Sequence, residues 1–159
     1  MVHIGVSDVI DRDRAVTEFT DRTIPVQHSV LVVRDHPGNN DYLQSVCEFL
    51  NIGVEHAATE DDVRAMLPAL RPMAVIADLD GDIQDGFHVM KIVAAYDRSI
   101  PVLLLMENNQ ALLGAVDAVQ EVWGLTHVTT AAPAAGMGAL VDFLCHAARD
   151  AGRSRLMRV

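Results

Sequence analysis

Five short, nearly continuous apolar runs alternate with five amphipathic stretches between Val30 and Leu144, and this alternation limits the possible folds more than any other feature. The runs are Val30 to Val33, Val54 to Ala57, Met73 to Ala77, Val102 to Met106 and Leu125 to Thr129. The stretches repeat apolar residues at i, i+3, i+4 and i+7, a helical period. They are Leu43, Val46, Cys47, Leu50; Val63, Met66, Leu67, Leu70; Val89, Ile92, Val93, Tyr96; Leu112, Ala115, Val116, Val119; and Met137, Leu140, Val141, Leu144. A strand wetted on one face alternates apolar with polar residues. Runs without that alternation are buried on both faces, and in strict β-α order they imply a parallel sheet covered by helices on either side.

The expected fold is therefore α/β: a doubly wound, five-stranded parallel sheet of flavodoxin-like order 2-1-3-4-5 with five helices. In that order the functional edge lies at the C-terminal ends of the first and third strands, where the chain reverses its direction across the sheet. Local signals agree. Thr59 with Asp62 can form a capping box, Asn108 or Asn109 can cap the fourth helix, and Gly53 follows the first. Pro101 opens the fourth strand, where a missing N–H is tolerated. Residues 1–27 are weakly patterned and are expected to be an extension, 28–150 the domain, and 151–159 a tail carrying Arg153, Arg155 and Arg158.

Composition narrows the function classes. The chain has 159 residues, 50% of them hydrophobic, enough to bury a core and too many for general disorder. Twelve basic against 22 acidic residues give a formal charge of -10, which repels phosphate backbones and argues against nucleic-acid binding. No apolar run reaches membrane-spanning length and the N-terminus lacks signal-peptide features, so a cytoplasmic protein without a membrane partner is expected. Cys47 and Cys145 fall on apolar helical stripes and read as buried free thiols. The seven histidines show no zinc spacing.

The chemistry-bearing segment is Val75-Ile76-Ala77-Asp78, followed by Leu79-Asp80-Gly81-Asp82-Ile83-Gln84-Asp85-Gly86. An apolar strand ending on a carboxylate, with a loop closing in Asp-Gly before a helix, resembles the phosphoacceptor loop of response-regulator receiver domains. The resemblance spans about residues 28–150, although the Met-Pro common in that loop is absent. It implies that Asp78 holds the phosphoacceptor position. It further implies an acidic pair after the first strand for Mg²⁺, a hydroxyl after the fourth and a lysine after the fifth, which together neutralise a transferring phosphoryl group.

Those positions are altered. The acidic pair has become Arg34-Asp35, leaving Asp35 and Asp78 as candidate metal ligands with weak or absent binding. Met106 and Glu107 stand at the hydroxyl and the small residue after it, Ala131 at the lysine, Ala132 at its proline and Val128 at the switch aromatic. Lys91 is the only lysine in the chain and falls within the third helix. Arg34 is expected to turn inward and pair with a carboxylate, Asp78 or Asp80, replacing the charge of a metal. The plainer roles are turn former or cap for Asp80, Asp82 and Asp85, surface or packing for His36 and His88, and helix anchor for Trp123.

The expected function is a stand-alone degenerate receiver, not an enzyme and without a cofactor, acting by protein-protein contact in bacterial two-component signalling. About nine residues follow the fifth predicted helix, so no output domain is expected in the chain. Partners would be a histidine kinase or a downstream regulator, or a second copy through Leu112, Leu113, Val119 and Trp123. One alternative is a phosphorylatable single-domain regulator using Mg²⁺ and Asp78. Another is a haloacid dehalogenase-like phosphatase using Asp78 and Asp80, a family that also needs a later lysine and a further acidic pair, whereas Lys91 is the one lysine here. A calcium loop starting at Asp78 is weaker still, with Ile83 at the required glycine and Val89 at the bidentate carboxylate.

Overall fold

A computed structural model of the chain describes residues 28–34, 41–79, 86–107, 110–132 and 137–158. The expectations for residues 1–27, His36, Asp82, Asp85, Asn108 and Asn109 lie outside them. Strands β1 (Ser29–Val33), β2 (Gly53–Ala57), β3 (Ala74–Asp78), β4 (Val102–Leu105) and β5 (Val128–Ala131) form one sheet ordered β2-β1-β3-β4-β5. Every pairing is parallel. Helices α1 (Asp41–Phe49), α2 (Glu60–Leu70), α3 (Gly86–Tyr96), α4 (Gln110–Trp123) and α5 (Met137–Arg158) connect and follow the strands. The expected fold class and strand order are both found.

The two-residue period of the strands divides the core in two. Leu31, Val33, Val75, Ala77, Val102 and Leu104 face one side and pack with α2, α3 and α4 through Val63, Leu67, Val89, Val93 and Val116. Val30, Val32, Ala74, Ile76, Leu103 and Leu105 face the other and pack with α1 and α5 through Cys47, Phe143 and Leu144. Each central strand is thus apolar on both faces, which is why its sequence shows no polar alternation.

Local chemistry sets several boundaries. Thr59 Oγ1 accepts from the Asp62 N–H at 3.1 Å while the Thr59 N–H donates to Asp62 Oδ2 at 3.2 Å, the reciprocal capping box expected for α2. Glu60, Asp61 and Asp62 place negative charge at the positive end of that helix. At Gly86, which opens α3, a Cβ would sit 2.8 Å from Leu79 Cα and 3.1 Å from the Asp78 carbonyl oxygen. The Asp-Gly that closes the loop therefore supplies the only side chain small enough for the helix to start against the end of β3.

Two expectations are corrected. The fifth strand begins at Val128, not Leu125. Gly124 turns out of α4 with φ 71°, the Leu125 N–H bonds back to Gln120 and the Thr126 N–H to the Arg98 carbonyl, so these residues are committed before the sheet begins. Residues 151–158, expected as a tail, continue α5 to Arg158, because the segment after Ala147 contains no proline and is rich in alanine and arginine. Leu112, Leu113, Val119 and Trp123, expected as an interaction face, are half-buried and pack against the core beneath α4. Their spacing is one broad inward stripe, and Trp123 anchors the end of the helix as expected. Val122, 78% exposed, is the large apolar residue that α4 gives to solvent. Cys47 is buried and Cys145 half-buried, both as free thiols.

Candidate functional site

Register brings the candidate site together at the C-terminal edge of the sheet. Val33 lies opposite Ala77, so Arg34, the next residue, emerges beside Asp78 at the end of β3. Asp78 lies opposite Leu105, and Leu105 opposite Ala131, which carries the same edge across β4 and β5. Parallel strands open their helical connections in opposite directions between β1 and β3, and this makes the edge a crevice.

Arg34 points inward. Its Nε–H is shared between the two Asp78 carboxylate oxygens, 3.1 Å from Oδ1 and 3.0 Å from Oδ2. The Arg34 side chain is only 8% exposed and that of Asp78 21%, so water screens the pair poorly. A charge-assisted contact in such a setting is stronger than a surface ion pair and costs more to break from one side. The expected inward pairing of Arg34 is found, with Asp78 as a partner. Asp35 and Asp80 lie outside the described residues.

The other half of the edge is apolar. Met106 is 3% exposed and packs in the core under α2, α3 and α4, while its N–H bonds to the Ala131 carbonyl at 2.9 Å. It offers no hydroxyl. Ala131 packs against the opposite layer, beneath α1 and α5, and Glu107 is exposed. Lys91 is on α3, where it lines a groove with Glu60, Arg64 and His88. His88 is an exposed surface residue whose Nδ1 contacts Glu60 Oε1 at 2.8 Å, joining α3 to α2. The sequence reading did not anticipate that groove, because its two walls come from helices separated by a strand and a loop.

The described residues do not suit Mg²⁺ at Asp78. Octahedral Mg²⁺ needs carboxylate oxygens free to replace its water, and here both Asp78 oxygens accept from a guanidinium that would also repel the dication. Among the described residues, no three His, Cys, Asp or Glu side chains form a metal-binding group. No described helix is long and apolar enough to cross a membrane.

No protein-family description and no curated protein sequence matches the chain. Solved structures do. The chain is similar to the signal receiver domain of a LuxO repressor protein from Vibrio parahaemolyticus, with 17% identity and a TM-score of 0.67 over 84% of this chain and 98% of that one. It is similar to the chemotaxis protein CheY4 of Vibrio cholerae, at 18% identity and TM-score 0.62 over 76% and 98% of the two chains. It also resembles the receiver domain of a sensor histidine kinase from Pseudomonas aeruginosa, whose active-site cleft coordinates a magnesium ion; identity is 19% and the TM-score 0.60 over 77% and 98%. With five parallel strands in the same order and near-complete coverage of each of these domains, the chain has the CheY-like fold of response-regulator receiver domains.

Proposed function

We propose that the chain is a degenerate receiver that works in two-component signalling by protein-protein contact, in the cytoplasm, without catalysing a reaction and without standard phosphotransfer to Asp78. The observation that carries this reading is the Arg34–Asp78 contact of 3.0 Å at the sheet edge. In a receiver, Asp78 would be the nucleophile, and an oxygen already bound to a guanidinium is less free to attack phosphorus. Arg34 supplies a fixed positive charge beside Asp78, the part that the resemblance to receivers gives to a dication. A phosphoryl group on Asp78 would need stabilisation from the neighbouring strands. Ala131 brings no cation and Met106 no hydroxyl, while Glu107 adds charge of the wrong sign.

The receiver fold without its chemistry still provides a rigid display of helices and edges that a histidine kinase, a downstream regulator or a second copy can recognise. A partner would then read one fixed state of the domain. Incubation with Mg²⁺ and acetyl phosphate followed by intact-mass measurement tests this reading. The expected result is an unchanged mass. A gain of one phosphoryl group that Asp78→Asn abolishes would overturn it and favour a phosphorylatable regulator.

A further inference from the structure

The groove between α2 and α3 has a volume of about 530 Å³, within the range of small-molecule sites. Its floor is apolar: Leu67 is 1% and Ile92 8% exposed, both belonging to the core beneath the helices. Ala95 lies one helical turn beyond Lys91 and beside Tyr96, and its short side chain leaves the depression open between those two longer ones. Tyr96, 40% exposed, contributes a ring at one end.

The charges on the rim are unevenly matched. Glu60 meets His88 at 2.8 Å and Arg64 at 3.9 Å, and Arg64 also meets Asp61 at 3.4 Å. These groups satisfy one another. Lys91 lines the same groove, is exposed, and has no ion-pair partner among the described residues. An apolar floor with one cation at its rim that no described carboxylate holds is complementary to a molecule with an apolar body and a single negative charge. The formal charge of -10 on the whole chain weighs against polyanions, since long-range repulsion grows with each charge that a ligand adds.

We infer that this groove is a binding site for a small amphipathic monoanion, a planar or compact apolar body bearing one carboxylate. The carboxylate pairs with Lys91 and is within the reach of the long Arg64 side chain on the facing helix. The apolar body lies over Leu67, Ile92 and Ala95, with its edge against the Tyr96 ring. The site is separate from the Arg34–Asp78 edge in its residues and does not depend on the phosphotransfer state of Asp78.

The test is a chemical-shift titration of the full chain with 2-naphthoate, and in parallel with the neutral 2-naphthamide. Saturable shifts confined to α2 and α3 are expected, with the amide binding about tenfold more weakly for want of the charge. Lys91→Gln should reduce naphthoate affinity to the level of the amide, Lys91→Arg should restore it, and Ala95→Leu should remove binding of both by filling the depression. Lys91 and Ala95 are exposed, so these variants leave the core intact. Equal binding of acid and amide, shifts that neither Lys91→Gln nor Ala95→Leu diminishes, or no saturable shift up to about 5 mM would overturn the inference.

Discussion

The two halves of the sheet edge differ in kind. At β1 and β3 a carboxylate meets a guanidinium, with Arg34 and Asp78 3.0 Å apart and poorly exposed. At β4 and β5 the corresponding positions, Met106 and Ala131, are apolar and packed into opposite core layers. A site that had merely lost its chemistry would leave Asp78 with a buried, uncompensated charge, which is costly. Here the charge is matched on one side and the other side is apolar. The difference supports the proposed resting, metal-independent state.

The comparison can be broken from either half, and the largest effect is expected at Arg34. Arg34→Ala removes the partner of Asp78 and exposes the space filled by the arginine stem, and unfolding free energy should fall by about 2–3 kcal/mol. Adding Asp78→Asn to that variant should recover much of the loss, because the unpaired charge goes with it. A double-mutant cycle by urea denaturation measures the coupling, and a coupling near zero would mean that the pair is ornamental.

Met106→Thr probes the apolar half. It restores a hydroxyl at the sequence position that receivers use, yet removes core volume and buries a polar group, and a loss of about 2 kcal/mol is expected in the same assay. A neutral outcome would show that this position is an open part of the pocket and not part of the core. Gly86→Ala sharpens the comparison at the base of the other half. The added methyl would meet Leu79 and the Asp78 carbonyl, and shifting them should cost about 1–2 kcal/mol and disturb the Arg34 resonances.

The smallest effect separates the edge from the core below it. Burial of Cys47 raises its thiol from 9.0 to about 11. The unfolded chain therefore loses this proton first as pH rises, and binds fewer protons than the folded one between those values. Stability should be indifferent to Cys47 below pH 9 and decline from there to about 11. Cys47→Ala should flatten that decline in a pH series of melting curves while leaving the Arg34–Asp78 coupling unchanged.

Much of this was legible before the structure. Central strands buried on both faces announce themselves as continuous apolar runs, so β1 and β3, and with them the adjacency of Arg34 and Asp78, could be read from sequence and register alone. The start of β5 could not: Leu125 is apolar and follows a glycine, but its N–H bonds back to Gln120, a tertiary choice that hydropathy does not record. The apolar stripe of α4 is broad because a helix over a wide sheet buries more than one row of side chains. The length of α5 was missed because a polar, arginine-containing helix end has the composition of a tail. The α2–α3 groove depends on the approach of Lys91 to a helix about 30 residues earlier, which no local pattern encodes.

The central claim is that Arg34 takes the place of a metal at Asp78, and a calorimetric titration with Mg²⁺ tests it most directly. The unaltered protein should show no saturable heat up to about 10 mM, whereas Arg34→Asp, which rebuilds an acidic pair beside Asp78, should bind at least about tenfold more tightly. Saturable millimolar or tighter Mg²⁺ binding by the unaltered protein, lost in Asp78→Asn, would contradict the account.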